Sequence, residues 1–144
     1  MRVEPYLFFN GRSEEAIEFY RRALGAEVLM LMRFKEAPPE PAAEGCPPPS
    51  PENADKILHA ALRVGATTVM LSDGNNEGAL DFRGFALSLD ARDPADAKRL
   101  FDALADGGTT VLPLGPSFFS PSFGMVTDRF GVMWMVIVPQ EGTP

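Results

Sequence analysis

Short apolar, strand-like runs bounded by turn residues recur along this chain, and only two segments carry the longer spacing of an amphipathic helix. Val3 to Phe9 is apolar and aromatic and closes at Asn10-Gly11, which predicts a strand ending in a turn. A helix is predicted next. Ala16, Phe19, Tyr20, Ala23 and Leu24 form one apolar stripe, Ser13 is the expected cap, Glu14 and Glu15 suit the positive end of the dipole, and Gly25 is the stop. Glu27 to Phe34 then reads as a second strand. Ile57 to Val64 and Thr67 to Ser72 then bracket Gly65-Ala66, the spacing of a tight hairpin.

The same order begins again in the second half. Phe85 to Leu89 reads as a strand, Asp93 and Pro94 as an N-cap and first-turn pair, and Ala97, Leu100, Phe101 and Leu104 as a second helical stripe that stops at Gly107-Gly108. Ala97, Leu100 and Phe101 stand 81 positions after Ala16, Phe19 and Tyr20. Thr109 to Leu112, Gly124 to Thr127 and Val132 to Val138 supply three more strands, the last two joined across Asp128 to Gly131. The chain therefore reads as α+β, with βαβββ written twice in halves of about 1–73 and 83–139. Two amphipathic helices in similar places can also arise by chance, so spacing alone leaves the duplication open.

Two segments break the pattern. Residues 36–53 hold seven prolines, too few backbone donors for sheet or helix, and predict an irregular excursion that is either a solvated insertion or a lid. Leu114 to Phe123 mixes Gly115, Pro116 and Pro121 with Phe118, Phe119 and Phe123. It predicts a loop whose phenylalanines need shelter.

Composition narrows the classes of function. At 144 residues the chain is one domain's worth. Thirteen basic against twenty acidic side chains give a net charge of −7, which argues against nucleic acid or an anionic membrane as partner. A single cysteine, Cys46, allows neither an intramolecular disulfide nor a cysteine-rich zinc site and fits the cytoplasm. Neither a signal-peptide core nor an apolar run of about 20 residues is found, so no membrane span is expected.

Pro5-Tyr6-Leu7 with Phe9 and Gly11, then Ala16, Phe19-Tyr20 and Leu24-Gly25, resemble the opening of PhnB-like proteins, a branch of the vicinal oxygen chelate (glyoxalase/bleomycin resistance/dioxygenase) superfamily. His59-Ala60, Met70, Ser72-Asp73 and Gly84-Phe85 continue the likeness, and Phe123-Gly124-Met125, Thr127-Asp128, Phe130-Gly131-Val132 and Trp134-Met135 close it. The resemblance implies two βαβββ units whose curled sheets enclose a cleft, in a homodimer. It also raises a metal, because relatives hold a divalent ion with His, Gln or Glu from the inner strands. Matched by motif, the four ligand positions fall near Pro5, Met70, Gly84 and Met135; moved by two they fall at Leu7, Ser72, Ala86 and Ile137. None of these carries an imidazole or carboxylate, and the chain has one histidine, so no metal and no other cofactor is expected.

The remaining polar candidates each have a structural reading as well. His59, on the Ile57 to Val64 strand, is either a hydrogen-bonding strand residue or a base, and Asp73 either holds the turn after it or orients His59 should the two meet. Asp128 is expected to start the turn to Gly131, while Ser117 and Ser120 have no basic partner that would make either a nucleophile. Tyr6, Phe8, Met70, Phe118, Phe119, Phe123, Trp134 and Met135 are candidates for a pocket that takes a small apolar or aromatic ligand. Alternation allows only half of each strand's residues to face it. A metal-free ligand-binding protein is the first reading. A metal-dependent lyase, isomerase or dioxygenase fits the fold but lacks donors, and a dimeric scaffold without a ligand is a further alternative. The ubiquinone-pathway methyltransferase label often attached to PhnB-like sequences finds no glycine-rich strand-to-helix turn to cradle a nucleotide-like cofactor.

Overall fold

Residues 1–37, 52–74 and 78–140 are described by the computed structural model. They form β1 (Tyr6–Phe8), α1 (Ser13–Leu24), β2 (Glu27–Arg33), a 3₁₀ turn (Phe34–Glu36), β3 (Ile57–Val64), β4 (Thr67–Ser72), β5 (Leu87–Asp90), α2 (Pro94–Ala105), β6 (Thr109–Ser117), β7 (Ser120–Thr127) and β8 (Met133–Ile137). The chain divides into two units, Met1–Leu80 and Asp81–Pro144. Most of the proline-rich 36–53 excursion lies outside the described residues.

Each unit holds one four-stranded sheet and one helix. The first sheet runs β1-β4-β3-β2 and the second β5-β8-β7-β6, so first, fourth, third and second strand of each unit lie side by side in the same order. In both, the strand before the helix pairs parallel with the last strand and the other pairings are antiparallel. Two mixed sheets of identical connectivity make this the duplicated α+β fold of the glyoxalase/bleomycin-resistance type, and the duplication that spacing left open is real.

Alternation decides which face each helix covers. Leu7, Ala60, Leu62, Val69 and Leu71 point to the α1 side of the first sheet and are buried; Val126, Trp134 and Val136 do the same under α2. Burial of each such large apolar side chain stabilises by about 1.5–3 kcal/mol. Gly124 sits in the α2-facing row because a side chain there would meet Phe101 at 2.8 Å and the Leu114 backbone at 3.0 Å.

Several boundaries differ from the sequence expectation for identifiable reasons. β1 begins at Tyr6, not Val3: Pro5 has no N–H to give, though its carbonyl accepts from Met70 N at 2.9 Å, and Val3 is exposed. β5 begins at Leu87, after Gly84 at φ +92°, and leaves Phe85 outside the strand. Ser13 is not the cap of α1. The N-cap position is Arg12, and the free N–H groups of Gly11 and Ser13 are taken by Asp73 Oδ1 at 2.8 and 2.9 Å, leaving the buried Ser13 hydroxyl unpartnered. Gly25 does end the helix, at φ +67°. In α2 the expected cap forms, with Asp93 Oδ1 accepting from Asp96 N at 2.8 Å.

The largest difference is at Leu114 to Phe123, which is not a loop. β6 and β7 run through it as a hairpin that turns at Phe118-Phe119. Pro113 and Pro116 are tolerated because β6 is an edge strand with three register irregularities, where a missing N–H breaks little of the ladder. Nor are the phenylalanines all sheltered: Phe123 is buried, Phe119 half-buried, and Phe118 94% exposed.

Candidate functional site

Opposite α1, the first sheet presents a face that its own helix leaves uncovered. Tyr6, Met70, Ala61 and Met30 form one row across all four strands, since Tyr6 pairs with Met70, Met70 with Ala61, and Ala61 with Met30. Phe8 and Ser72 form the next pair along β1 and β4, and His59, two residues before Ala61, lies beside them. Tyr6 is 38%, Met30 43% and Phe8 55% exposed, unusual values for large apolar groups clustered on one sheet face. The Tyr6 ring stands 5.2 Å from Phe8 and 5.5 Å from His59, and its hydroxyl lies 2.8 Å from His59 Nδ1. The Phe8 ring also lies against Gly74, at φ +56°, where a methyl group would stand 3.2 Å from the ring.

In the second unit the corresponding face carries Ser88, Met135, Met125 and Leu112 in one row, then Asp90, Ile137 and Phe123 in another. Phe119 packs edge-on against Phe123 at 4.9 Å, and Phe118 against Phe119 at 5.0 Å. Trp134 belongs to the other face. It alternates with Met135, is buried on the α2 side, and its indole N–H donates to Asp128 Oδ2 at 3.0 Å. A pocket containing both Trp134 and Met135 is therefore not formed by strand β8 alone.

The acidic candidates are structural. Asp73 is fully buried and its two oxygens accept from the backbone N–H groups of Gly11, Ser13 and Ile57, at 2.8–2.9 Å. His59 bonds Tyr6 instead, so the His59–Asp73 pair is not brought together, and the turn residue Gly74 donates to Ser72 Oγ rather than to Asp73. Asp128 does hold its own turn, accepting from Phe130 N and Val132 N. The buried Ser120 hydroxyl lies 2.7 Å from Val138 O, a structural contact. Sequence reasoning missed Met30 and the Tyr6–His59 bond. Alternation could have placed Met30, but a bond spanning the intervening strand β4 leaves no local signal.

The metal that the superfamily implies finds no fit. The row through Met70 meets β1 at Tyr6, not Pro5, and the row through Met135 meets β5 at Ser88, not Gly84. Leu7 faces α1, so the shifted set mixed two faces. The first uncovered face offers the His59 imidazole with the hydroxyls of Tyr6 and Ser72 and the Met70 thioether, and the second the Asp90 carboxylate with Ser88 and Met135; neither is a donor set for a divalent ion. Among the described residues no cluster of three or more His, Cys, Asp or Glu could hold one.

A family model described as 3-demethylubiquinone-9 3-methyltransferase matches residues 1–137. Protein YjdN of Escherichia coli K12 is 38% identical over 146 residues, 99% of each chain. The chain belongs to this family, the PhnB-like proteins. The crystal structure of PA1353 from Pseudomonas aeruginosa is 42% identical, covers 98% of this chain and 99% of its own, and superposes with a TM-score of 0.79. A PhnB protein from Bacillus cereus, named a putative 3-demethylubiquinone-9 3-methyltransferase, shares the fold at 23% identity and TM-score 0.74, over 96% of this chain and 99% of its own. A glyoxalase-related enzyme and a glyoxylase/bleomycin resistance/dioxygenase domain share the fold alone, at 16% and 14% identity. The methyltransferase in the family's description remains a label without support: the names of YjdN and PA1353 state no activity, and the PhnB-like sheets described here lack the parallel strand-turn-helix cradle of a nucleotide site.

Proposed function

We propose that this PhnB-like chain is a metal-free binder of a small apolar or aromatic molecule, acting as a homodimer in the cytoplasm. One observation carries the reading: Tyr6, Phe8 and Met30 stand open to solvent on a single sheet face, where aromatic and thioether groups give adaptable contacts to a flat ligand. The Phe118–Phe119–Phe123 stack and Met135 in the second unit extend the same chemistry. The lone Cys46 motivates the compartment, and among the described residues no helix is long and apolar enough to cross a membrane.

Native mass spectrometry of freshly purified protein, followed by thermal-shift screening against a diverse aromatic library, tests the proposal. The expected result is a species of twice 15.6 kDa without metal, stabilised by some aromatic compounds and not by S-adenosylmethionine. One divalent ion retained per chain would replace binding by metal-dependent turnover as the leading reading. A library in which no compound shifts the melting temperature would leave a scaffold.

A further inference from the structure

We propose that Tyr6 and His59 form a composite hydrogen-bond donor on the uncovered face of the first sheet, selecting flat ligands that carry an acceptor oxygen, such as an aryl ketone, over plain hydrocarbons. This rests on the binding reading above and names the ligand class for the same face.

Two strands position the pair. Tyr6 on β1 and His59 on β3 flank β4, and the phenol reaches across it to place its oxygen 2.8 Å from Nδ1. A phenol is the stronger acid and an imidazole nitrogen the stronger base, so Tyr6 O–H donates and Nδ1 accepts. A neutral imidazole has one proton, and with Nδ1 occupied as acceptor that proton resides on Nε2. Among the described residues His59 makes no other hydrogen bond, so its Nε2–H is left as a directed donor on a face it shares with Phe8, Met70 and Ser72, whose hydroxyl already accepts from Gly74 N.

The surroundings set the rest of the ligand. Phe8 lies 5.2 Å from the Tyr6 ring at an interplanar angle of 33°, and Met70 occupies the strand between Tyr6 and His59. Aromatic rings and a thioether favour a flat apolar body. A hydrocarbon seated there would strip water from Nε2–H without replacing its hydrogen bond, whereas a carbonyl oxygen would replace it. Sites built to hydrogen-bond a ligand reject the analogue that lacks the group, strongly when buried and less at a half-exposed site such as this.

The probes are 1-indanone and indane, which differ by one carbonyl. Because His59 is the only histidine, its two ring nitrogens give the only imidazole signals in a two-bond ¹H–¹⁵N correlation spectrum of the full chain. The expected results are an Nε2-protonated tautomer in the free protein, an Nε2 signal that moves on adding 1-indanone, and binding of 1-indanone about ten-fold or more tighter than indane. Tyr6→Phe keeps the ring and removes the hydroxyl, so it should mix the tautomers and lower the preference. His59→Leu should abolish the preference while indane still binds. Equal affinity of the wild-type protein for both compounds, or an Nδ1-protonated tautomer, overturns the donor and leaves the binding reading standing. Failure of the wild-type protein to bind either compound overturns the ligand class, and a library in which no compound shifts the melting temperature overturns the binding reading as well.

Discussion

Asp73 receives three backbone N–H bonds from positions far apart in the chain, and among the described residues no other carboxylate of the first unit is so deeply enclosed. Asp73→Ala leaves those donors buried without an acceptor, and should cost about 3 kcal/mol or more in urea unfolding. Asp73→Asn, which keeps one acceptor oxygen, should lose less. Its neighbour in this arrangement behaves oppositely: because the Ser13 hydroxyl is buried and unpartnered, Ser13→Ala should be neutral or stabilising by up to about 1 kcal/mol, whereas Asp93→Ala at the start of α2 should cost about 1 kcal/mol. Asp96 supplies a pH test. The Arg92 backbone N–H first, then the Arg92 and Arg99 guanidinium groups, hold its carboxyl well below the ordinary carboxylate range. Its folded pKa is depressed, so its stabilisation is present above an unfolded pKa of about 4 and lost as pH falls below that. The stability gap between wild type and Asp96→Asn should therefore be full at pH 7 and narrow towards pH 2, as read by thermal unfolding across that range.

At the level of elements, what was legible in the sequence was whatever is written locally. The α1 stripe with Gly25, the Asp93 cap and the Gly65-Ala66 hairpin each depend on residues within a few positions of one another, and they stand where the pattern put them. The hairpin of β6 and β7 was not legible, because prolines weigh against strands unless the strand is known to lie at an edge, which only the finished sheet reveals. The same limit applies to the candidate site. Alternation placed Tyr6 with Phe8, but Asp73's partners stand 16 to 62 positions away and the Tyr6–His59 bond spans 53. Close packing between elements yields a further expectation. A methyl group on Gly108 would collide with Thr127 O and stand 3.0 Å from the Asp128 backbone, atoms that cannot rotate aside. Gly108→Ala should destabilise by about 2–3 kcal/mol, while Gly115→Ala, with open space around it, should stay within about 1 kcal/mol.

For the molecule as a whole, the two sheets reach one connectivity with different devices. Asp73 closes the end of β4, while at the end of β8 the Val138 carbonyl meets the hydroxyl of Ser120. With no cluster of three or more His, Cys, Asp or Glu among the described residues to hold a divalent ion, dialysis against EDTA should leave the melting temperature within about 1 °C of its starting value. The position of Asp73 also bears on how the chain is made. Synthesis runs from the N-terminal side, so the N–H groups of Gly11 and Ser13 leave the ribosome some 60 residues before the carboxylate that receives them. Until that side chain emerges those two N–H groups have only water to bond, and the carboxylate that ties the start of the leading helix to the end of β4 arrives last.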